Sequence, residues 1–457
     1  MTASDWAAPR GVLVVGLNDI ILRADSTLEA FWVAASARWT APLKAIVEGR
    51  GDLELRDRLE VAALRDPARL RIRDDALGPI EEWRRRGGRV VLLSDAPRET
   101  TEIVARHLEL FDEVHAIAAT AEDHRQHLDE VYGPGQYAKL EQIADVLRAQ
   151  DTIQVESETP SVDPSRRLPA TLLLLRPHQW LKNLLIFVPM MAAHELTMGA
   201  FWHAMIAFVA FSLTASGTYI LNDLLDLHSD RAHPRKCNRP LASGGVSVTQ
   251  GTLMMPILTL GGAAIALMSG PKLLGMLMLY VILTSAYSIK LKRLVMIDIC
   301  ILAVLYTMRI LAGSLATGIP SSVWLLAFSI FFFFSLAAVK RQAELVDGIA
   351  SGTVTAHGRG YHVDDVSVVG NIVVASGMIS VLVLALYANS EPVLRLYSRP
   401  EMLWGICLVL LFWNSRIAIL THRGQMHDDP LVFAACDRVS QLCGVLVLML
   451  GTVGAVL

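Results

Sequence analysis

The chain has 457 residues, is 53% apolar and carries a formal net charge of -3. It is too hydrophobic for an ordinary soluble protein, and its near-neutral balance says nothing about charged partners. Charges crowd the first 170 residues, after which long apolar runs alternate with short basic loops. That is the pattern of a soluble domain followed by a multi-spanning membrane domain. Cys237, Cys300, Cys407, Cys436 and Cys443 show no CxxC spacing, which argues against a zinc site and for reduced thiols in a cytoplasm-facing protein. The first ten residues include Asp5 and no apolar core of signal-peptide length, so the N-terminal domain is expected in the cytoplasm.

Residues 11–15 read as a short buried strand, and a charged, helical region follows. Residues 89–94 form a second strand leading into a helix near residues 99–108, and a third strand is expected at 113–117. Strand, helix and strand in this order, with continuous apolar strands, predict a soluble α/β domain over residues 1–150 with a parallel, Rossmann-like sheet.

This part resembles the haloacid dehalogenase (HAD) superfamily, in which the first strand ends in an Asp-x-Asp pair and a later strand ends in a phosphate-holding Ser or Thr. Ser94 matches the second feature. Gly16 stands where the nucleophile belongs and Asn18 where the acid/base belongs, and no phosphoryl-aspartate can form on glycine. Asp19 would need a shift of register, and no downstream Gly-Asp-x-x-x-Asp element precedes the membrane region. The resemblance therefore implies a degenerate HAD-like domain kept for folding, docking or regulation, and dispensable for the chemistry.

Residues 151–169 turn to Glu, Ser, Thr, Pro and Arg without periodicity and read as a linker. In the remaining segment, 170–457, apolar runs recur at 181–196, 200–221, 249–268, 273–288, 296–316, 323–339, 366–388, 403–420 and 439–457. These predict an all-α membrane bundle of about nine transmembrane helices. Arg231, Arg235, Lys236 and Arg239 fall on one side with Lys290, Lys292, Arg293, Lys340, Arg341, Arg359, Arg423 and Arg438; the other side shows Lys272, Arg395 and Arg399. The positive-inside rule makes the first set cytoplasmic and the protein a multi-pass component of the cytoplasmic (inner) membrane.

The inner end of the second run carries Asn222, Asp223, Asp226 and Asp230. At 100° per residue these four share a face of about 100° over roughly 12 Å of helix. Three carboxylates so placed repel one another unless a cation lies among them. The bland alternative is a solvated helix end whose aspartates pair with Arg231 and Arg235. The chemical one is Mg²⁺ on Asp223, Asp226 and Asp230, since a hard cation takes one or two carboxylates and completes its shell with water and phosphate oxygens.

The asparagine, the three aspartates and the basic stretch that follows resemble the first Asp-rich motif of the UbiA superfamily of intramembrane prenyltransferases. The similarity covers about residues 168–457. It implies a nine-helix bundle with a cavity open to the cytoplasm and to lipid, and Mg²⁺ on a diphosphate. The Arg176-Pro177-His178-Gln179-Trp180-Leu181-Lys182-Asn183 stretch and the Asp230-to-Lys236 segment resemble the decaprenyl-phosphate phosphoribosyltransferase branch, which moves phosphoribose from phosphoribosyl pyrophosphate to a lipid phosphate.

The expected partners are a polyprenyl lipid, a phosphorylated or pyrophosphorylated co-substrate and the bilayer, with no nucleic acid. Substrate-binding candidates are Lys182, Asn183, Arg231, Arg235, Lys236, Arg239, Tyr287, Lys290, Lys292, Lys340, Arg341 and Glu344, with Asp298 and Arg309 inside a span. The simpler alternatives are plain topology for Lys290 and Lys292, a structural ion pair for Asp298 with Arg309, and i,i+4 pairing for Lys340 with Glu344. Leu302 stands where relatives carry a second aspartate, which weakens a second metal site. Asn414 and Arg416 are candidate pocket residues, His357 and His362 are loop residues, and Phe331 to Phe334 face lipid or core. The competing chemistry keeps the metal and alkylates an aromatic acceptor with a polyprenyl diphosphate. A transporter relaying ions through Asp298 and Arg309 and a pseudoenzyme scaffold are further alternatives, the first weakened by the lack of an inverted repeat.

Overall fold

A computed structural model describes residues 11–17, 26–37, 74–94, 98–117, 121–140, 169–231, 236–350, 360–426 and 429–456. Asn18, Asp19, Arg235, His357 and nearly all of the expected linker lie outside these. The chain divides into two compact units: Met1–Leu174 with Asp223–Thr252, and Leu175–Asn222 with Leu253–Leu457.

The first unit contains β1 (Val12–Gly16), α1 (Ser26–Ala37), α2 (Asp74–Arg85), β2 (Arg89–Ser94), α3 (Arg98–Leu108), β3 (Glu113–Ala116), α4 (Ala121–Tyr132) and β4 (Tyr137–Lys139). The strands form one parallel sheet in the order β3-β2-β1-β4. Alternation along β1 and β2 splits their apolar residues between the two faces. Leu13, Val15, Val90 and Leu92 meet Ile80 of α2 and Val104 of α3, while Val12, Val14, Val91 and Leu93 meet Leu128 of α4. Burial on both faces is why these strands read as unbroken apolar runs. The sequence reading missed β4, whose three residues follow the turn glycines Gly133 and Gly135, both at positive φ.

The same unit takes in the acidic segment. Here the chain leaves α5 (Met198–Leu225), forms a short helix at Leu227–Arg231 and a 3-10 turn at Lys236–Asn238, and enters α6 (Val248–Ser269). Leu224, Leu227, Leu241, Ala242, Val246 and Val248 are buried.

The second unit continues with α7 (Pro271–Ile289), α8 (Ile297–Thr317), α9 (Val323–Ala350), α10 (Val366–Ala388), α11 (Met402–His422), α12 (Pro430–Cys436) and α13 (Arg438–Val456). Among the described residues, 8 helices are long and apolar enough to cross a membrane, from Met198–Leu225 to Arg438–Val456. The chain is thus a multi-pass membrane protein with, among the described residues, one such helix fewer than the nine runs in the sequence.

The missing one is the first. The run at 181–196 forms a 3-10 helix, Pro177–Phe187, and a short helix, Val188–Ala192, neither of spanning length. Pro177 and Pro189 lack N–H donors and restart the chain twice. The segment then lies against α8, where a Cβ on Gly313 would stand 2.0 Å from the Ile186 carbonyl oxygen. Only glycine admits that approach, and the apolar run is spent on packing.

Helix α8 is among the most enclosed of the spanning helices. It sends Ile299, Ala303, Tyr306 and Ile310 into a core shared with α9, α10 and α11, and Leu305, Met308 and Ala312 into a second core shared with α5 and α7. The outer helices instead show Ile257, Leu260 and Leu267 on α6, and Leu442, Val445 and Leu448 on α13, as exposed apolar side chains suited to lipid. The Phe331–Phe334 run divides between both fates: Phe333 is buried and Phe331 exposed.

Candidate functional site

Helix α5 ends at Leu225 and the chain restarts as a helix at Leu227, so the single continuous carboxylate face expected from the sequence is interrupted at Asp226. A backbone bond from Asp230 N–H to the Asp226 carbonyl, 2.8 Å, keeps the two pieces in register. Asp223 and Asp230 are buried, and Arg239 joins them: its Nη1 donates to Asp223 Oδ1 at 3.2 Å and to Asp230 Oδ2 at 2.5 Å. Arg239 is thus a partner of both acids that the sequence reading did not pair with them. Nine residues separate Arg239 from Asp230 and a turn intervenes, so no i,i+4 rule reveals the pair. Burial raises the Asp230 carboxyl above its ordinary value; Arg239 opposes this, and the neighbouring Asp223 charge adds to it.

Among the described residues no three Asp, Glu, His or Cys side chains converge as a metal cage. Asp223, Asp226 and Asp230 are thus not gathered into one three-carboxylate ligand set. Mg²⁺ does not require such a cage: one or two carboxylates suffice, with water and phosphate oxygens completing the shell. The all-oxygen pair Asp223 and Asp230, already held on a cation, fits that ion.

Lys292 Nζ donates to Asn222 Oδ1 at 3.5 Å, while Lys290 is exposed. Lys182, 7% exposed, donates to Asp429 Oδ2 at 2.6 Å. Lys340 reaches the same oxygen at 3.6 Å, and Tyr306 Oη donates to this carboxylate. Two lysines on one carboxylate leave net positive charge. The sequence reading missed Asp429. Its signal was Asp-Pro at a helix start, since Asp429 caps α12 by accepting from the Leu431 N–H at 3.2 Å.

Burial pushes the Asp429 carboxyl up, but Lys182 and Lys340 together hold it far below the usual carboxylate range. An acid with a depressed folded pKa stabilises the fold fully above its unfolded value near 4, and loses that contribution as pH falls towards the folded one. Asp429→Asn is therefore expected to lower unfolding temperature by a constant amount above about pH 5, with the gap closing below about pH 4. Thermal unfolding in detergent across that range reads the effect; a gap that widens on acidification would contradict it.

Asp298 and Arg309 do not pair. Eleven residues put them about 16 Å apart along α8, on one face but beyond reach. Asp298 instead binds Arg341 of α9, whose Nε and Nη2 both reach Asp298 Oδ2, at 2.8 and 2.5 Å. Tyr361 Oη donates to Asp298 Oδ1 at 2.6 Å and accepts from the Met296 N–H at 2.8 Å. Met296 sits at φ +66°, a left-handed conformation for a side chain at the entry to α8, and the tyrosine holds it there. Arg341 also binds Glu344, a pair at i,i+3 that the sequence reading did not make. Tyr287 is half-buried at the end of α7.

Arg309 is buried among uncharged groups. Its Nε donates to Asn183 Oδ1 at 2.8 Å, its Nη1 to the Leu305 carbonyl and its Nη2 to Tyr280 Oη at 3.3 Å. Asn183, 0% exposed, also donates to Ser212 Oγ at 3.0 Å, so it links Arg309 to α5. Asn414 and Arg416 are likewise committed: Asn414 donates to the Gly377 carbonyl, and Arg416 makes a two-pronged pair with Asp437.

The UbiA prenyltransferase family profile matches residues 183–359. The chain is 38% identical over 281 residues to nodulation protein NoeC of Azorhizobium caulinodans, a match spanning 61% of this chain and 90% of NoeC. The chain belongs to the UbiA prenyltransferase family. The chain is also 38% identical over 298 residues to Uncharacterized protein y4nM of Sinorhizobium fredii, covering 64% of this chain and 57% of that one. It is 34% identical over 189 residues to the decaprenyl-phosphate phosphoribosyltransferase of Mycobacterium tuberculosis, covering 40% of this chain and 62% of that protein. The chain thus spans less than two thirds of two of these three relatives.

Proposed function

We propose that this UbiA-family chain is a Mg²⁺-dependent membrane transferase that moves 5-phosphoribose from phosphoribosyl pyrophosphate to a polyprenyl phosphate. The observation that carries the reading is the 34% identity to an enzyme named for that reaction, over a stretch of 189 residues. The surplus of lysine over carboxylate at Lys182, Lys340 and Asp429 supports a substrate with more than one phosphate group.

In this reading Asp223 and Asp230 hold Mg²⁺, with Asp226 and Asn222 beside them in the chain. Bound there, the ion supplies charge neutralisation that makes pyrophosphate a better leaving group. Lys182, Lys292, Lys236, Arg235 and Lys290 bind and orient phosphate oxygens. A lipid phosphate oxygen attacks C1 of the ribose, the C1–O bond to pyrophosphate breaks, and the electron pair leaves with pyrophosphate. No general base is required, because the nucleophile is already ionised.

The cytoplasmic orientation of the acidic segment rests on the basic loops. The N-terminal sheet is read as a HAD-like domain without phosphatase chemistry, supported by Gly16 at the end of β1 and the buried Ser94 at the end of β2. In the test, purified protein receives Mg²⁺, polyprenyl phosphate and phosphoribosyl pyrophosphate labelled in the ribose. Label is expected in the lipid fraction. Label confined to water, while a polyprenyl diphosphate is consumed with an aromatic acid, would replace this reading with aromatic prenyl transfer.

A further inference from the structure

The N-terminal helix α1 and the acidic segment belong to one compact unit, and a short chain of contacts links them. Trp32 on α1 is 7% exposed, and its indole Nε1 donates to Thr252 Oγ1 at 2.9 Å. That hydroxyl donates onward to the Val248 carbonyl at 2.8 Å, so it serves as acceptor and donor at once. One residue earlier, Gly251 leaves room for Leu241: a Cβ there would lie 2.9 Å from Leu241 Cδ2 and 3.7 Å from Leu224 Cδ2. Leu224 follows Asp223 in the chain. Helix α1 also packs on the short helix Leu227–Arg231, which carries Asp230.

Five residues are far too few to hold a helix unaided, since isolated helices below about 12 residues are marginal in water. The geometry around Asp230 must therefore come from tertiary packing, and α1 is one of the elements that supplies it. Asp223 and Asp230 are then held from two directions: through Leu224 and Gly251 next to Thr252, and through the short helix lying on α1.

We propose that the N-terminal domain is a positioning element for the acidic segment. Anchored by Trp32 on Thr252, α1 sets the separation of Asp223 and Asp230 and through it the affinity for a divalent cation. The inference rests on the reading that these two carboxylates hold Mg²⁺. It revises the expectation that the N-terminal domain is dispensable for the chemistry.

The test uses the full chain in detergent with Mn²⁺ as probe, free ion being read by electron paramagnetic resonance. Trp32→Ala is expected to weaken Mn²⁺ binding at least about fivefold, the scale of one buried hydrogen bond with its packing. The half-saturating Mg²⁺ concentration for turnover should rise in parallel, with the rate recovering at saturating Mg²⁺. Trp32→Phe, which keeps an aromatic ring, should recover part of the loss. Thr252→Val removes the acceptor without touching α1 and should shift affinity in the same direction. It decides the matter if Trp32→Ala does not fold.

Unchanged Mn²⁺ affinity in the folded variants, while wild type binds Mn²⁺ and Asp223→Asn does not, overturns the positioning role. Equal Mn²⁺ binding by wild type and Asp223→Asn overturns the underlying metal reading instead.

Discussion

Asp223→Asn is expected to lower transfer by at least about 100-fold while leaving the protein folded, the scale of removing one charged group that stabilises developing charge in a closed site. The change is nearly isosteric and keeps an oxygen that accepts from Arg239. It removes the formal charge that, with Asp230, would bind a divalent cation, so the loss should appear as a higher metal requirement as well as a lower rate. Initial rates across a Mg²⁺ titration separate these effects. Folding should survive because Asp230 still neutralises Arg239. Full activity in Asp223→Asn at low Mg²⁺ would remove the acidic segment from the mechanism.

The second large effect concerns stability. Asp298 and Arg341 have side chains at 0% exposure, deep between α8 and α9. Removing one charge from such a pair leaves the other buried with less compensation, and breaking a buried pair typically costs about 3–5 kcal/mol. Asp298→Asn should therefore lower the unfolding temperature in detergent by many degrees. Glu344, a second partner of Arg341, softens the loss, since its side chain is 35% exposed and already shares its charge with water. The double change Asp298→Leu with Arg341→Met removes both charges and should recover much of the stability, because apolar replacement of a buried pair is often neutral or better. An Asp298→Asn protein that unfolds within about 2 °C of wild type would show that Tyr361 and Glu344, not Asp298, hold this corner.

The parallel sheet was legible because strands buried on both faces must be apolar at every position, which residues 12–15 and 90–93 are. The spanning helices were legible for a similar reason, since a bilayer demands about 20 apolar residues from each. The family signature in Asn222, Asp223, Asp226 and Asp230 could be read from residue type and spacing, a local property of one helix end.

Pairing could not be read in this way. Asp298 shares a face with Arg309, yet a helix rises about 1.5 Å per residue and that distance defeats a side chain. The partner came from α9, 43 residues along the chain. Lys182 and Asp429 meet across 247 residues, and Trp32 and Thr252 across 220. Hydropathy likewise counts apolar residues without knowing what they bury against. The run at 181–196 therefore passed for a span, although two prolines and the approach to Gly313 turn it into a packed 3-10 segment.

Composition, period and spacing act within a few turns of one element, and they determined the parallel sheet, the membrane helices and the acidic motif. Which cation answers which carboxylate depends on how distant elements pack, and that was settled only by the tertiary structure. It is there that Arg239 comes to bridge Asp223 and Asp230, and that α1 comes to lie against the helix carrying Asp230.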